Sequence, residues 1–365
     1  MLIRQIETYT KGNLCLVKLT TDSGLSGWGQ IRHFWMHAEI PALVFKLKIL
    51  PYALGADAID IDGLETRILD ANYRDFGPYL CKALAGLDAA LWDLRGKAQG
   101  KSVCELLGGK PKPLAVYAAS LQRQNTPDQE AERLKRMCDE KGFRAVKIRI
   151  GQTNGRDQDA YPGRTEALVP AVRRSLGDGI AVFADANSCY SPPKAIQIGR
   201  MLQDNGVSLF EEPCPYWEIE WTAEVAAALV IPVAGGEQDI WLSQWRRIIS
   251  LRALDVVQPD LGDIGGLSQA LKVARLAAEA GLPVMPHSSD RSLTLIYTLH
   301  MMAAIPNAAP FVEYLIEDTP WSDHLFFPEP GVKDGMLPTP SGAGWGVEIN
   351  PDWLAYARRE IYEST

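Results

Sequence analysis

The feature that most constrains this chain is a set of three apolar runs, each about a strand long and each ending in a carboxylate. Ile180-Ala-Val-Phe-Ala184 runs into Asp185, Val207-Ser-Leu-Phe210 into Glu211, and Ile231-Pro-Val-Ala234 through two glycines into Glu237. From 185 to 211 and from 211 to 237 the interval is 26 residues each time. That is about one strand plus one helix, the repeating unit of a βα barrel. Successive strand ends of such a barrel lie side by side at its C-terminal rim, so the three acids converge. Converging carboxylates raise one another's pKa unless a cation sits among them. All-oxygen donors suit a hard divalent ion, Mg²⁺ before Zn²⁺. A single acid after a strand is often only the cap of the next helix; three in register are harder to read as caps alone.

Composition narrows the class. The 365 residues allow two domains or one large one, and an apolar fraction of 47% supports a sizeable core. A formal charge of −8 without long basic runs argues against nucleic acid as a partner. No run reaches the ~18 apolar residues of a membrane span, and the N-terminus has no signal-peptide core. The six cysteines, at 15, 81, 104, 138, 189 and 214, form no Cys-x-x-Cys pair. Reduced thiols and a cytoplasmic location are expected.

Residues 1 to about 30 read as a β-hairpin: Leu14–Thr20, a turn at Thr21-Asp-Ser-Gly24, and a return over Leu25–Gln30. Arg32, His33, Trp35 and His37 follow in a polar, aromatic stretch. Residues 38–107 read as helical, with Leu80, Leu84, Leu87, Leu91 and Leu94 on one face. Gly108-Gly109, with Pro111 and Pro113 beyond, marks the best boundary. Strands are then expected at 114–118, 144–149, 180–184, 207–211, 231–234, 254–258, 283–286 and 310–314. Helices such as Pro127–Lys141 and Leu267–Ala280 lie between them. Eight strands with seven or eight helices predict a (β/α)₈-type barrel. The tail from 320 to 365 falls outside the repeat.

The other strand ends carry chemistry too. In Lys147-Ile148-Arg149 the two cations share a face because strand side chains alternate, and apolar Val146, Ile148 and Ile150 take the other. The cations therefore point into the barrel mouth. Asp185 and Asn187 share a face by the same rule. The sixth strand ends at Asp260 and the seventh at His287. A carboxylate beside an imidazole fixes its tautomer and raises the basicity of the other nitrogen, which makes a general base. Glu313, on the eighth strand, is expected near the acids and, if protonated, would donate a hydrogen bond. Tyr161 lies in a polar loop, Gly151–Gly163; folded toward Arg149 it would be a phenolate base. Asn187, Arg32, His33, Trp35 and Tyr161 are the candidate substrate contacts.

Taken together, Lys147-x-Arg149, Asp185-Ala-Asn187, Glu211-Glu-Pro213, Gly236-Glu237, Gln258-Pro-Asp260, Pro286-His287 and Glu313-Tyr314 resemble the mandelate racemase subgroup of the enolase superfamily. Ala89-Ala-Leu-Trp-Asp-Leu-Arg-Gly-Lys97 and Leu106-Leu-Gly-Gly109 extend the likeness over nearly the whole chain. The resemblance implies an α/β fold: a modified (β/α)₇β TIM-type barrel (residues 113–319), an α+β capping domain (1–112) and a C-terminal segment (320–365) returning to the cap. It also implies Mg²⁺ held by Asp185, Glu211 and Glu237, and abstraction of a proton α to a carboxylate to give a metal-stabilised enediolate. In those terms His287 with Asp260 is a base, Lys147 neutralises the substrate carboxylate or enediolate, and Glu313 hydrogen-bonds it. Cap loops including 24–36 would close over a small-molecule carboxylate substrate. The resemblance further implies a homo-oligomer, from dimer to octamer.

One departure matters. Racemases of this subgroup usually carry Lys-x-Lys, the second lysine serving as base on the face opposite the histidine. Here Arg149 stands in that place, and arginine keeps its proton. One-base dehydration of an acid sugar (aldonate or aldarate) to a 2-keto-3-deoxy acid is therefore expected. The alternatives are a racemase/epimerase or lactone cycloisomerase using the same enediolate, and a non-catalytic barrel that only binds a carboxylate.

Overall fold

Alternating apolar residues build the N-terminal sheet. In the computed structural model, which describes residues 1–32 and 37–364, β1 (Ile3–Lys11), β2 (Leu14–Thr21) and β3 (Ser26–Ile31) form an antiparallel meander. The expected hairpin is β2 and β3. The alternating N-terminus supplies a further strand on its other side. Helices follow at α1 (Glu39–Val44), α2 (Leu50–Ala53), α3 (Ile61–Ala71), α4 (Pro78–Gln99) and α5 (Val103–Leu106), with one π-helical turn at Phe45–Ile49. The helical reading of 38–107 thus holds in pieces. Left-handed Gly55 and Gly100 stand in two of the connections.

α4 is buried almost throughout from Leu80 to Leu94, not only along its leucine face. Its leucines meet the sheet at close range because Gly27 and Gly29 of β3 lack side chains. A Cβ on Gly27 would sit 2.2 Å from the Ala90 carbonyl oxygen, and one on Gly29 2.1 Å from that of Gly86. Buried polar groups of the same helix reach both the sheet and the rest of the chain. Lys82 pairs with Asp263, Asp88 accepts from Ser268, and Asp93 accepts from the Trp28 and Trp345 backbone N–H groups.

The repeat then begins, with β4 (Pro113–Ala119), α6 (Pro127–Lys141), β5 (Ala145–Arg149), α7 (Arg164–Leu176), β6 (Ala181–Asp185), α8 (Pro192–Asp204), β7 (Leu209–Glu211) and α9 (Ile219–Ala228). It continues with β8 (Val233–Gly235), α10 (Leu242–Ser250), β9 (Val256–Val257), α11 (Leu267–Glu279), α12 (Leu293–Met302) and β10 (Val312–Leu315). Helix α6 matches its expected limits because the sequence punctuates both ends. Thr126 and Gln129 form a capping box, and Gly142 closes the helix at φ 76°. Neighbouring strands pair in parallel, and β10 pairs with β4 to close the barrel.

One expectation needs correction. The strand expected at 283–286 shrinks to single bridges from Val284 to Val257 and to Ala308. Pro283 and Pro286 flank it and cannot donate to a ladder. The repeat contains seven helices, α6 to α12, within the seven or eight expected, and the barrel is the (β/α)₇β form that the resemblance implies. The tail adds β11 (Phe326–Phe327), β12 (Met336–Pro338), β13 (Glu348–Ile349), α13 (Pro351–Ala355) and β14 (Arg358–Glu363). β12 pairs with β4, and β14 pairs antiparallel with β1. All six cysteines are buried and free, and among the described residues no helix is long and apolar enough to cross a membrane.

One junction makes the fold sensitive to acid. His300 of α12 accepts from the Cys104 N–H at 3.0 Å through Nδ1 and faces the Trp345 carbonyl oxygen at 3.0 Å through Nε2. These contacts require the neutral Nε2–H form, and burial pushes its pKa down to about 4. Its stabilisation is whole above the ordinary histidine value near 6.5 and is lost as pH falls toward about 4. The loss is worth ~3 kcal/mol. Urea denaturation at about pH 7 and about pH 4.5 is expected to show this loss in the wild type but not in His300→Gln. Equal losses in both proteins would remove His300 as the cause.

Candidate active site

Strand register assembles the mouth of the barrel. Arg149 lies opposite Asp185, and Asp185 opposite Glu211, so the ends of β5, β6 and β7 set a cation and two acids in one row. Lys147, two residues back, is fully buried. Its Nζ lies 2.7 Å from Glu211 Oε1, 2.7 Å from Glu313 Oε1 and 3.5 Å from Asp185 Oδ2, above the Tyr117 ring. Arg149 pairs with Asp185, donates to the Ser120 carbonyl oxygen at 3.2 Å and to Asn187 Oδ1 at 2.9 Å. The alternation reading thus places both cations correctly. Asn187, Ser188 and Glu212, just past β6 and β7, hold positive φ angles of 42°, 61° and 44°. Such strained backbone recurs at functional sites.

Across the mouth, His287 Nδ1 lies 2.7 Å from Asp260 Oδ2 and its Nε2 lies 3.3 Å from Glu237 Oε2. Burial disfavours the charged ring, but Glu237, Asp260 and Glu313 outweigh it and push the pKa up to about 10. Asp260 is itself braced. Its Oδ1 accepts from the backbone N–H groups of Gly262 and Asp263 at 2.7 and 3.0 Å.

The acids carry more charge than their surroundings relieve. Burial, with repulsion from Asp185, Glu313 and Glu237, pushes Glu211 up to about 8 despite Lys147. Burial also raises Glu237 and Glu212, and Glu212 Oε1 is buried with no hydrogen-bond partner. Asp185, also buried, is instead held well below the usual range by Arg149 and Lys147. Among the described residues no three acidic, histidine or cysteine side chains already close around a point as a metal cage; Lys147, Arg149 and His287 occupy the acids instead. The donor set is all carboxylate and under-neutralised, with Asp185 and Glu211 buried and Glu237 partly exposed toward the mouth, which fits a hard divalent cation.

Two sequence expectations change, at Arg32 and Tyr161. Glu313 is held down at about 2, against burial, by Lys147 and His287, and accepts from the Ser288 N–H at 2.8 Å. It stands here as an acceptor; the donor role belongs only to its protonated form. Arg32, expected in an exposed stretch, is engaged by carboxylates. It is buried behind the dyad, where Nη2 lies 3.1 Å from Asp260 Oδ2 and 2.9 Å from Ser289 Oγ, and Nη1 pairs with Asp290. Tyr161 does not fold toward Arg149. Its hydroxyl donates to the Asn125 carbonyl oxygen at 3.4 Å, and the guanidinium near its ring is that of Arg164. His33 and Trp35 lie outside the described residues. Asn187 does join the site, as the acceptor shared by Arg149 and Arg123.

Arg123, Gln258 and Asp290 were not expected. Gln258 Nε2 donates to Glu211 Oε2 at 3.0 Å. Two-residue alternation with Asp260 was the signal that could have found it. Arg123 lies just past the end of β4, a position that reads as functional in any such barrel. Asp290, on the loop beyond His287, carries no local signal.

A closed βα barrel with acids, cations and a histidine dyad at its C-terminal rim, covered by an α+β sheet-and-helix unit, defines a capped-barrel enzyme. Residues 129–353 match the enolase C-terminal domain-like family, and residues 4–108 match the mandelate racemase/muconate lactonizing enzyme N-terminal domain. The chain belongs to the enolase superfamily, mandelate racemase subgroup. Over 357 residues it is 30% identical to D-galactarolactone cycloisomerase of Agrobacterium fabrum, covering 94% of this chain and 90% of that one. Over 340 residues it is 28% identical to arabinonate dehydratase of Saccharolobus solfataricus, covering 91% and 87%. Among solved structures, a Roseobacter denitrificans protein provisionally assigned as a racemase superposes with a TM-score of 0.97 at 46% identity, with both chains fully covered. L-Talarate dehydratase of Polaromonas sp. JS666, complexed with Mg and L-glucarate, superposes at 0.87 and 25% identity, covering 100% of this chain and 99% of that one.

Proposed function

We propose that this chain is a Mg²⁺-dependent acid-sugar dehydratase that works with a single base. The observation that carries this reading is the asymmetry of the mouth. On one side stands the Asp260–His287 pair at 2.7 Å. On the other stands Arg149, tied to Asp185 and held even further above its usual pKa by Asp185, Glu211 and Glu237, against burial. A group that never loses its proton cannot be a second base.

When bound by Asp185, Glu211 and Glu237, the cation would neutralise these acids and polarise the substrate carboxylate, acidifying its α-C–H. His287 acts in its neutral form, with Nδ1–H donated to Asp260 and Nε2 turned to the substrate. Glu237 is the first of three partners, with Asp260 and Glu313, that favour its charged form; with Glu237 engaged as a ligand and Arg32 sharing the charge of Asp260, that bias toward the charged ring is reduced. His287 removes the α-proton, and the C–H electrons move into an enediolate facing Lys147. The same imidazolium then returns the proton to the β-hydroxyl, which leaves as water when the C–O bond breaks. The resulting enol tautomerises to the 2-keto-3-deoxy acid. The 30% identity to a lactone cycloisomerase supports one runner-up, in which the enediolate reacts without losing water.

The deciding experiment incubates the protein with a panel of aldonic and aldaric acids, with Mg²⁺ and after chelation. Keto-acid product that appears with Mg²⁺, disappears on chelation and returns on adding it back is the expected result. Isomerised substrate with solvent deuterium at the α-carbon, and no keto acid, would move the assignment to the cycloisomerase.

A further inference from the structure

The cations around the mouth are not equally satisfied: Lys147, Arg149 and Arg32 are buried, and Arg123 is half-buried. Lys147 has Glu211 and Glu313, Arg149 has Asp185, and Arg32 has Asp260 and Asp290. Arg123 has no such partner. Its Nε donates to the Gly151 carbonyl oxygen at 3.0 Å and its Nη2 to Asn187 Oδ1 at 2.7 Å, both neutral acceptors. Among the described residues no carboxylate lies within ion-pair distance of it. The nearby acids are committed elsewhere. Glu317 takes Arg133 at 2.7 Å and the Leu121 N–H at 3.0 Å, and Glu130 takes Ser120 and Asn125.

Arg123 is also held next to a like charge. Asn187 Oδ1 accepts from Arg149 at 2.9 Å as well, so one amide oxygen joins two guanidinium groups. Burial and the neighbouring Arg149, only partly offset by the more distant Asp185, lower the Arg123 pKa to about 10. Placing an uncompensated guanidinium beside another cation costs stability. The arrangement is relieved by an anion that arrives from outside, and a planar carboxylate matches the guanidinium fork. Neither cation of β5 has a free role there, since both are engaged with the acids.

We propose that Arg123 anchors a second carboxylate of the substrate, at the end remote from the reacting carbon, so that the preferred substrates are dicarboxylic (aldaric) acid sugars rather than aldonic acids. This rests on the acid-sugar reading above and narrows it. Asn187 is the positioning residue that holds the guanidinium at the rim.

The test compares a hexarate with the hexonate of matching configuration, on Mg²⁺-loaded wild type, Arg123→Gln and Arg123→Lys. Calorimetric Kd and kcat/KM are both measured, and thermal melting confirms that each variant is folded. Wild type is expected to prefer the hexarate by at least about tenfold in Kd. Arg123→Gln is expected to weaken hexarate binding by roughly 10- to 100-fold, the worth of a charge-assisted hydrogen-bonded pair. The hexonate should suffer at least about ten times less, and the loss should fall on KM more than on kcat. Arg123→Lys should restore part of the preference. Equal losses for both acids, or a wild type without preference for the diacid, would overturn the proposal. If no acid sugar is turned over yet an Arg123-dependent preference for the diacid persists in binding, the dehydratase reading fails and the anion site stands.

Discussion

His287→Asn is expected to lower turnover by about 10³- to 10⁴-fold while leaving the fold intact. Positioned general acid–base groups contribute roughly 10²–10⁴-fold, and here one imidazole serves both proton transfers, so the upper part of that range applies. Asparagine keeps a donor toward Asp260, which stays anchored by two backbone N–H groups and Arg32. Thermal melting should therefore change little. The sharper readout is exchange of the α-proton with solvent deuterium, measured by mass spectrometry under turnover conditions. Exchange that continues at the wild-type rate in His287→Asn would place the base elsewhere and undo the one-base mechanism.

Lys147→Met should damage both stability and activity, because Lys147 is the fully buried cation that Glu211 and Glu313 share. Removing one partner of a buried ion pair typically costs about 3–5 kcal/mol, since the remaining charge stays buried and unpaired. Glu211 is left in that condition here, and Glu313 keeps only His287 and the Ser288 N–H, so a loss within that range is expected by urea denaturation without divalent ion. Added Mg²⁺ should recover part of the loss, as it offers the same acids another cation. Activity should not recover with it, because the enediolate has lost the cation facing it; oxyanion-stabilising donors are commonly worth 10²–10³ in kcat. A stable and active Lys147→Met would show that Lys147 is only one of several interchangeable charges in the mouth.

Much of the architecture and of the central site was legible because both rest on local periodicity. A strand alternates with period two, and a βα unit repeats about every 26 residues, so Lys147, Arg149, Asp185, Glu211, Asp260 and His287 could be placed at strand ends from spacing and alternation. The limits of helix α6 were readable for the same kind of reason, since capping residues act within a few positions of one another. The strand around Val284 is shorter than its apolar content predicts because its two flanking prolines cannot donate to a ladder.

Arg32 and Tyr161 show where local reasoning stops. Both sit in polar stretches that read as exposed substrate contacts. Arg32 instead spends its guanidinium on Asp260, Asp263 and Asp290, all more than 200 positions away. The ionisation of Glu313 and the lack of an acidic partner for Arg123 are likewise properties of neighbours brought together by barrel closure. What the sequence alone determined is the order of strands and the chemical type of group at each strand end, because these follow from short-range stereochemistry. Which charge meets which was decided only by the tertiary structure. Ion pairing depends on distance and burial in space, and neither is encoded in the spacing of residues along the chain.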